Sequence, residues 1–275
     1  MKRLLLLFAL TLDANAHHGQ DFFVTLDTHV PELAHGSVFV SGSWGKTAGA
    51  DETEVSPGFL AGIGGGFALG STFQLSNETP GTFGYAAVTP LIQWSAAVPG
   101  TDFRLGVSAS YQFADNSHTI SHLSVHHHVN PGSSGGQGSN PDAPPPGSGS
   151  NHIHGGAGHS HDGIHRHGED HFETRLIGEW QATERTRVLV NFLAVGGGRD
   201  DTDFGYAVAV RQDLTKRLAA GVEVIGDLDT HGLHEAIAGL FYSPAHDLSL
   251  RLGAGTGFGA GSTDFSLHGG LTWRF

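Results

Sequence analysis

The chain has 275 residues, with 14 Lys and Arg against 27 Asp and Glu, 42 Gly and no Cys. The acidic excess argues against nucleic acid as a partner and favours attraction of cations, and the lack of cysteine excludes a disulfide scaffold. Beyond residue 16 no apolar run approaches the roughly 20 residues of a spanning helix, so a membrane-embedded form of this chain must cross as strands.

The N-terminus reads as an export signal. Lys2 and Arg3 precede the apolar run Leu4 to Leu12, and Ala14-Asn15-Ala16 supplies the small-x-small pattern of a cleavage site. Residues 1–16 are therefore expected to be a signal peptide, and the mature chain to start at His17. Without Lys2, Arg3 and Asp13 the balance becomes 12 basic against 26 acidic residues. Residues 17–36 are expected to be a periplasmic N-terminal segment.

From residue 37 the chain alternates with period two, the mark of strands whose two faces meet different surroundings. The pattern predicts twelve strands: 37–45, 54–64, 67–76, 83–96, 103–114, 172–181, 187–196, 204–213, 218–228, 234–243, 248–258 and 264–275. The last is the clearest: Phe265, Leu267, Gly269, Leu271, Trp273 and Phe275 share one face, and Ser266, His268, Gly270, Thr272 and Arg274 the other. Stretches from Val188 and from His234 alternate poorly. Several segments match the roughly 9–11 residues that a tilted strand needs to cross a bilayer.

Connection lengths give an independent check. If the C-terminus is periplasmic, the turns on its side are Gly65-Gly66, 97–102, 182–186, 214–217 and 244–247, all short. The long segment 115–171 then falls on the outward side, where barrels place long loops. A two-sheet sandwich also predicts alternation, with one face of each strand buried. Here the polar face carries Arg104, Glu173, Arg175, Glu179, Arg211, Glu223, Asp227, Arg251 and Arg274, while the other is aromatic near its ends. That division fits a polar lumen inside an apolar wall. The expected fold is all-β: one transmembrane antiparallel barrel of about 12 strands over residues 37–275, with a long extracellular loop.

The final run, Phe265-x-Leu267-x-Gly269-x-Leu271-x-Trp273-x-Phe275, resembles the last strand of Gram-negative outer-membrane β-barrel proteins. That resemblance implies outer-membrane lipid and the barrel-assembly machinery as partners. In size and strand rhythm the whole chain also resembles the transporter-like outer-membrane proteins associated with phenol-degradation pathways. Neither resemblance implies a particular substrate.

The loop 115–171 holds the most distinctive chemistry. It carries His118, His122, His126, His127, His128, His152, His154, His159, His161, His165, His167 and His171, 12 of the chain's 20 histidines. A Pro/Gly/Ser-rich stretch from Asn130 to Ser150 separates two clusters and is expected to act as a disordered tether. Neutral imidazole is the usual nitrogen ligand of zinc, copper and nickel. His152-x-His154, His159-x-His161 and His165-x-His167 repeat a spacing that puts both rings on one side of an extended chain, with Asp162, Glu169 and Asp170 as oxygen ligands nearby. The loose spacing predicts weak, exchangeable binding of several ions rather than one closed site. A His-rich surface brush without a metal role is the plain alternative.

Acidic residues in the other outward loops, among them Asp51, Glu52, Asp200, Asp201 and Asp203, would raise the local cation concentration. A free amine at His17 beside its imidazole is a further copper chelator. His122-Leu123-Ser124 has the His/Ser spacing of outer-membrane phospholipases, but it lies in a flexible segment that cannot preorganise a nucleophile. Lumen-facing Glu173, Arg175, Glu179, Glu223 and Arg251 are expected to form a paired charge network. The resulting expectation is a non-enzymatic barrel that binds zinc, copper or nickel at its loop and passes ions or small solutes. A plugged anchor carrying the same loop, and a lipid-modifying hydrolase, are the alternatives.

Overall fold

In a computed structural model, the described residues are 22–47, 50–79, 82–115, 170–196, 202–228, 234–258 and 262–275. Twelve strands follow in chain order: β1 Gly36–Thr47, β2 Ala50–Gly64, β3 Phe67–Thr79, β4 Thr82–Ala97, β5 Phe103–Ala114, β6 His171–Thr183, β7 Thr186–Gly196, β8 Asp203–Asp213, β9 Leu218–Asp227, β10 His234–Ala245, β11 Leu248–Phe258 and β12 Phe265–Arg274. Each pairs antiparallel with its sequence neighbours, and β1 pairs with β12 to close the barrel. The seam runs from Ser37↔Arg274 to Lys46↔Phe265. Main-chain bonds from Gly36 N to Phe275 O and from Phe275 N to Gly36 O, both 2.9 Å, fasten its end. Closure leaves no unpaired sheet edge, which is what allows strands to lie in lipid.

The barrel has a turn end and a loop end. The turn end carries Gly65-Gly66, 98–102, Glu184-Arg185, 214–217 and His246-Asp247, together with the start of β1 and the end of β12. Gly64, Gly65 and Gly66 all take positive φ, so the β2–β3 reversal needs residues without a Cβ. The long connection between β5 and β6 springs from the opposite end, as the loop-length parity predicts.

Outward residues are apolar. Leu105, Leu176, Val190, Val222, Leu240 and Leu252 are among the exposed large side chains of the wall. Aromatic pairs collect near both rims: Phe103 stacks on Trp180 at 5.7 Å and Phe67 meets Trp94 at the turn end, while Trp44–Phe265 and Phe192–Phe204 lie toward the loop end. An apolar band between two aromatic girdles is the exterior of a transmembrane barrel. A sandwich would have buried these faces.

Over its described part the N-terminal segment enters the barrel: residues 22–30 run inside the lumen. A parallel bridge between Leu33 and Gly62 marks where the chain turns in. Phe22 packs with Leu189, Ala209, Ala219 and Phe241, and Val24 packs on Leu193, Val195, Ala207 and Ile225. The weak alternation of β7 and β10 has its cause here. Their inward positions, Leu189, Leu193 and Val195 on one and Phe241 on the other, are apolar because they face protein rather than water.

Candidate functional site

The lumen is divided lengthwise between the N-terminal segment and an open polar side. Among the described residues, the stretch 22–30 has no strand partner, and wall side chains bond its main chain instead. Glu223 on β9 accepts from Phe23 N, Val24 N and Thr25 N at 2.7, 3.0 and 2.9 Å. Asn191 on β7 bonds both ways with Leu26, accepting from its N at 2.7 Å and donating to its O at 2.9 Å. Glu179 accepts from Thr28 Oγ1 at 2.6 Å and from Thr28 N at 3.2 Å. From β4, Gln93 donates to Asp27 O, and from β6, Arg175 donates to Val24 O. Charged acceptors on buried N–H groups are the stronger class of hydrogen bond; Glu223 and Glu179 supply them from β9 and β6, and the wall partners together come from four strands.

Shape complements this polar scaffold. Gly221, Gly239 and Gly253 follow one another across β9, β10 and β11 in register. The ring of Phe23 occupies the space where Cβ atoms of Gly239 and Gly253 would stand, 2.4 and 2.7 Å away. A small-residue belt in the wall thus receives one aromatic ring of the segment.

The remaining side of the lumen holds a cavity of about 190 Å³. Ser41, Ser56, Thr72, Thr89, Ser108 and Ser110 supply hydroxyls to its wall, with Glu54, Glu173, Arg175, His171, Gln74 and Gln112 among them. Glu173 and Arg175 pair at 2.5 Å across alternate positions of β6. The opposite boundary is the N-terminal segment itself, from Phe22 to Leu26.

The expected charge network is present in part. Glu173–Arg175 and Glu179–Arg187, the latter at 3.5 Å, are ion pairs. Glu223, by contrast, serves the segment's main chain, and Arg251 donates to Thr272 Oγ1. His268 faces the lumen as its alternation implies, and its Nε2 lies 3.2 Å from Glu235 Oε1 and 3.0 Å from Ser266 Oγ. Ser266 also donates to Glu235. Both neighbours meet the same ring nitrogen, so this is not the relay of a nucleophilic triad, in which acid and hydroxyl engage opposite nitrogens.

Of the histidines proposed as metal ligands, His118, His122, His126, His127, His128, His152, His154, His159, His161, His165 and His167 lie outside the described residues. His171 opens β6, buried and turned toward the cavity beside Gln112, its register partner. Among the described residues no group of three His, Cys, Asp or Glu side chains is placed to hold a metal. Sequence reasoning missed the role of residues 22–30. The available signal was the strand-like run Phe22-Phe23-Val24-Thr25-Leu26, left without a partner ahead of β1.

No family model matches the sequence, and no curated protein does. Solved structures do match the fold. The KdgM porin superposes with a TM-score of 0.53 at 8% identity, over 87% of this chain and 99% of its own. The COG4313 outer membrane channel from Pseudomonas putida F1 gives 0.54 at 10% identity, over 90% and 98%, and the NanC porin gives 0.51 at 9%, over 86% and 98%. This chain therefore has the fold of outer-membrane β-barrel channels.

Proposed function

We propose that this protein is an outer-membrane channel for small polar solutes, with the N-terminal segment as its fixed constriction. The observation that carries this reading is the two-sided lumen: a hydroxyl-lined cavity on one side and a hydrogen-bonded segment on the other. Hydroxyl and amide groups replace water around a solute without binding it tightly, which is what passage requires. The porin-like fold supports the same reading. The lumen's Ser266–His268–Glu235 group lacks the geometry of an activated nucleophile.

The histidines of the loop between β5 and β6 are proposed to bind zinc, copper or nickel weakly at the outer mouth. Their number and His-x-His spacing support this, and His171 at the start of β6 links the loop to the cavity wall. A second reading is favoured by one observation, the dense bonding of residues 22–30: a plugged anchor that presents the loop and conducts nothing. Planar-bilayer conductance of the full chain and of a variant lacking residues 22–30 separates them. A channel conducts in both forms, more in the deletion. Conductance only after deletion establishes the plugged anchor, and none in either form refutes a solute path.

A further inference from the structure

The turn end of the barrel holds a second, larger cavity, of about 770 Å³, away from the polar path. It lies among three turns: β6–β7, β8–β9 and β10–β11. Its lining brings together Arg185, Arg211, Lys216 and Arg217, with Asp213 as the one carboxylate and His246 on the β10–β11 side. Four permanent cations against one anion stand out in a chain whose formal charge is −13.

These turns are tied to one another. Asp213 N donates to Arg185 O at 2.7 Å, joining the end of β8 to the β6–β7 turn. Ser243 N donates to Arg217 O at 2.8 Å, joining the β8–β9 turn to β10. Within the β8–β9 turn, Leu214 N and Thr215 N both donate to Leu218 O. The Thr215 hydroxyl accepts from Arg217 N and Leu218 N at 3.1 and 3.0 Å. The backbone that carries Lys216 and Arg217 is thereby held, while their side chains stay exposed.

Arg211 supplies the fixed end of the cluster. Its residue is 6% exposed, its guanidinium lies over the Phe241 ring at 4.9 Å, and its Nε is 3.7 Å from Asp213 Oδ1. Arg187 stands directly opposite it in the β7–β8 register. Cations gathered around a concave space attract a counter-charge, and guanidinium groups match the planar oxygens of carboxylate or phosphate.

We infer that the cavity between these three turns is a binding site for a small multivalent anion bearing phosphate or carboxylate groups. The juxtaposition of Arg185 from the β6–β7 turn with Arg211, Lys216 and Arg217 from the end of β8 and the β8–β9 turn carries it. The ligand is either a soluble polyanion or the headgroup of an anionic lipid at the rim; the recognition chemistry is the same. The site does not depend on the lumen conducting, so it stands or falls separately from the channel reading.

The test is a binding measurement on the full-length protein. Citrate and inorganic phosphate are titrated by calorimetry into detergent-purified protein at low ionic strength. In parallel, native mass spectrometry reads phosphatidylglycerol retained from mixed-lipid nanodiscs. The variants are Lys216→Gln/Arg217→Gln and Arg185→Gln, all at exposed turn positions that leave the main-chain bonds in place. Citrate or phosphate binding that weakens at least tenfold in the double variant, and fades with added salt, establishes the soluble-anion form. Retention of phosphatidylglycerol alone, lost in the same variant, establishes the headgroup form. Equal binding in wild type and double variant, or no binding of any of the three probes, overturns the site.

Discussion

Replacing Glu223 by Gln should release the N-terminal segment while leaving the barrel intact. In the wild type its carboxylate is 1% exposed and takes three main-chain N–H groups, one on Oε1 and two on Oε2. Hydrogen bonds to a charged acceptor contribute roughly 1.5–3 kcal/mol each and neutral ones roughly 0.5–1.5. The amide retains one oxygen, so at best two of the three bonds survive in neutral form. The expected loss of docking free energy is about 3.5–6 kcal/mol. That raises the undocked population by a factor of roughly 300 to 10⁴, each 1.4 kcal/mol being tenfold.

The chain has no cysteine, so a single Thr25→Cys reporter can be read without interference. Thr25 is 3% exposed and its hydroxyl makes no hydrogen bond among the described residues, so the thiol fits with little loss. Alkylation of this thiol, limited by opening, should quicken by the same factor in the Glu223→Gln background. Thermal unfolding of the barrel should stay where it was. Equal alkylation rates in the two backgrounds would refute the reasoning. So would acceleration that merely follows a lowered melting temperature.

Gly239→Ala should loosen the segment by a different route, because the new methyl occupies the place of the Phe23 ring; Thr25→Cys alkylation and conductance should rise together. Deleting Phe275 removes the main-chain pair with Gly36 and the terminal aromatic, and should lower outer-membrane yield far more than the stability of refolded barrel, measured by fractionation and melting. Replacing residues 118–171 with a short Gly/Ser turn should keep the barrel and abolish most binding of zinc, copper or nickel in calorimetry. Binding by the intact loop should weaken from about pH 7.5 to about pH 5.5, since the ligand is neutral imidazole with an ordinary pKa near 6.5 and protons compete for it. Equal ion numbers bound by both forms would place the metal elsewhere.

The wall of this barrel was legible in the sequence. A period of two, short turns alternating with longer connections, and a terminal Phe are local properties. Each strand meets lipid on one side whatever its neighbours are, so Leu250 and Leu252 report the outside without reference to another strand. Strands β7 and β10 read poorly for a tertiary reason: Leu189, Leu193 and Phe241 point inward, yet face a protein segment rather than water.

What occupies the lumen was decided only by closure. Residues 22–30 find their partners on β4, β6, β7 and β9, with sequence separations of up to 200 residues. Nothing near Glu223 in sequence indicates that it will cap three amides. The basic cavity is less non-local, since Arg211 and Arg217 come from one strand end and its turn and meet Arg185 because neighbouring turns share one rim. Histidine content, conversely, is a fact of sequence alone, and the proposal of metal binding rests on the type and spacing of the loop's residues. Tertiary structure contributes the single member His171, which it turns into the cavity wall. Alternation fixes which way a side chain points; only the closed ring of strands fixes what it points at.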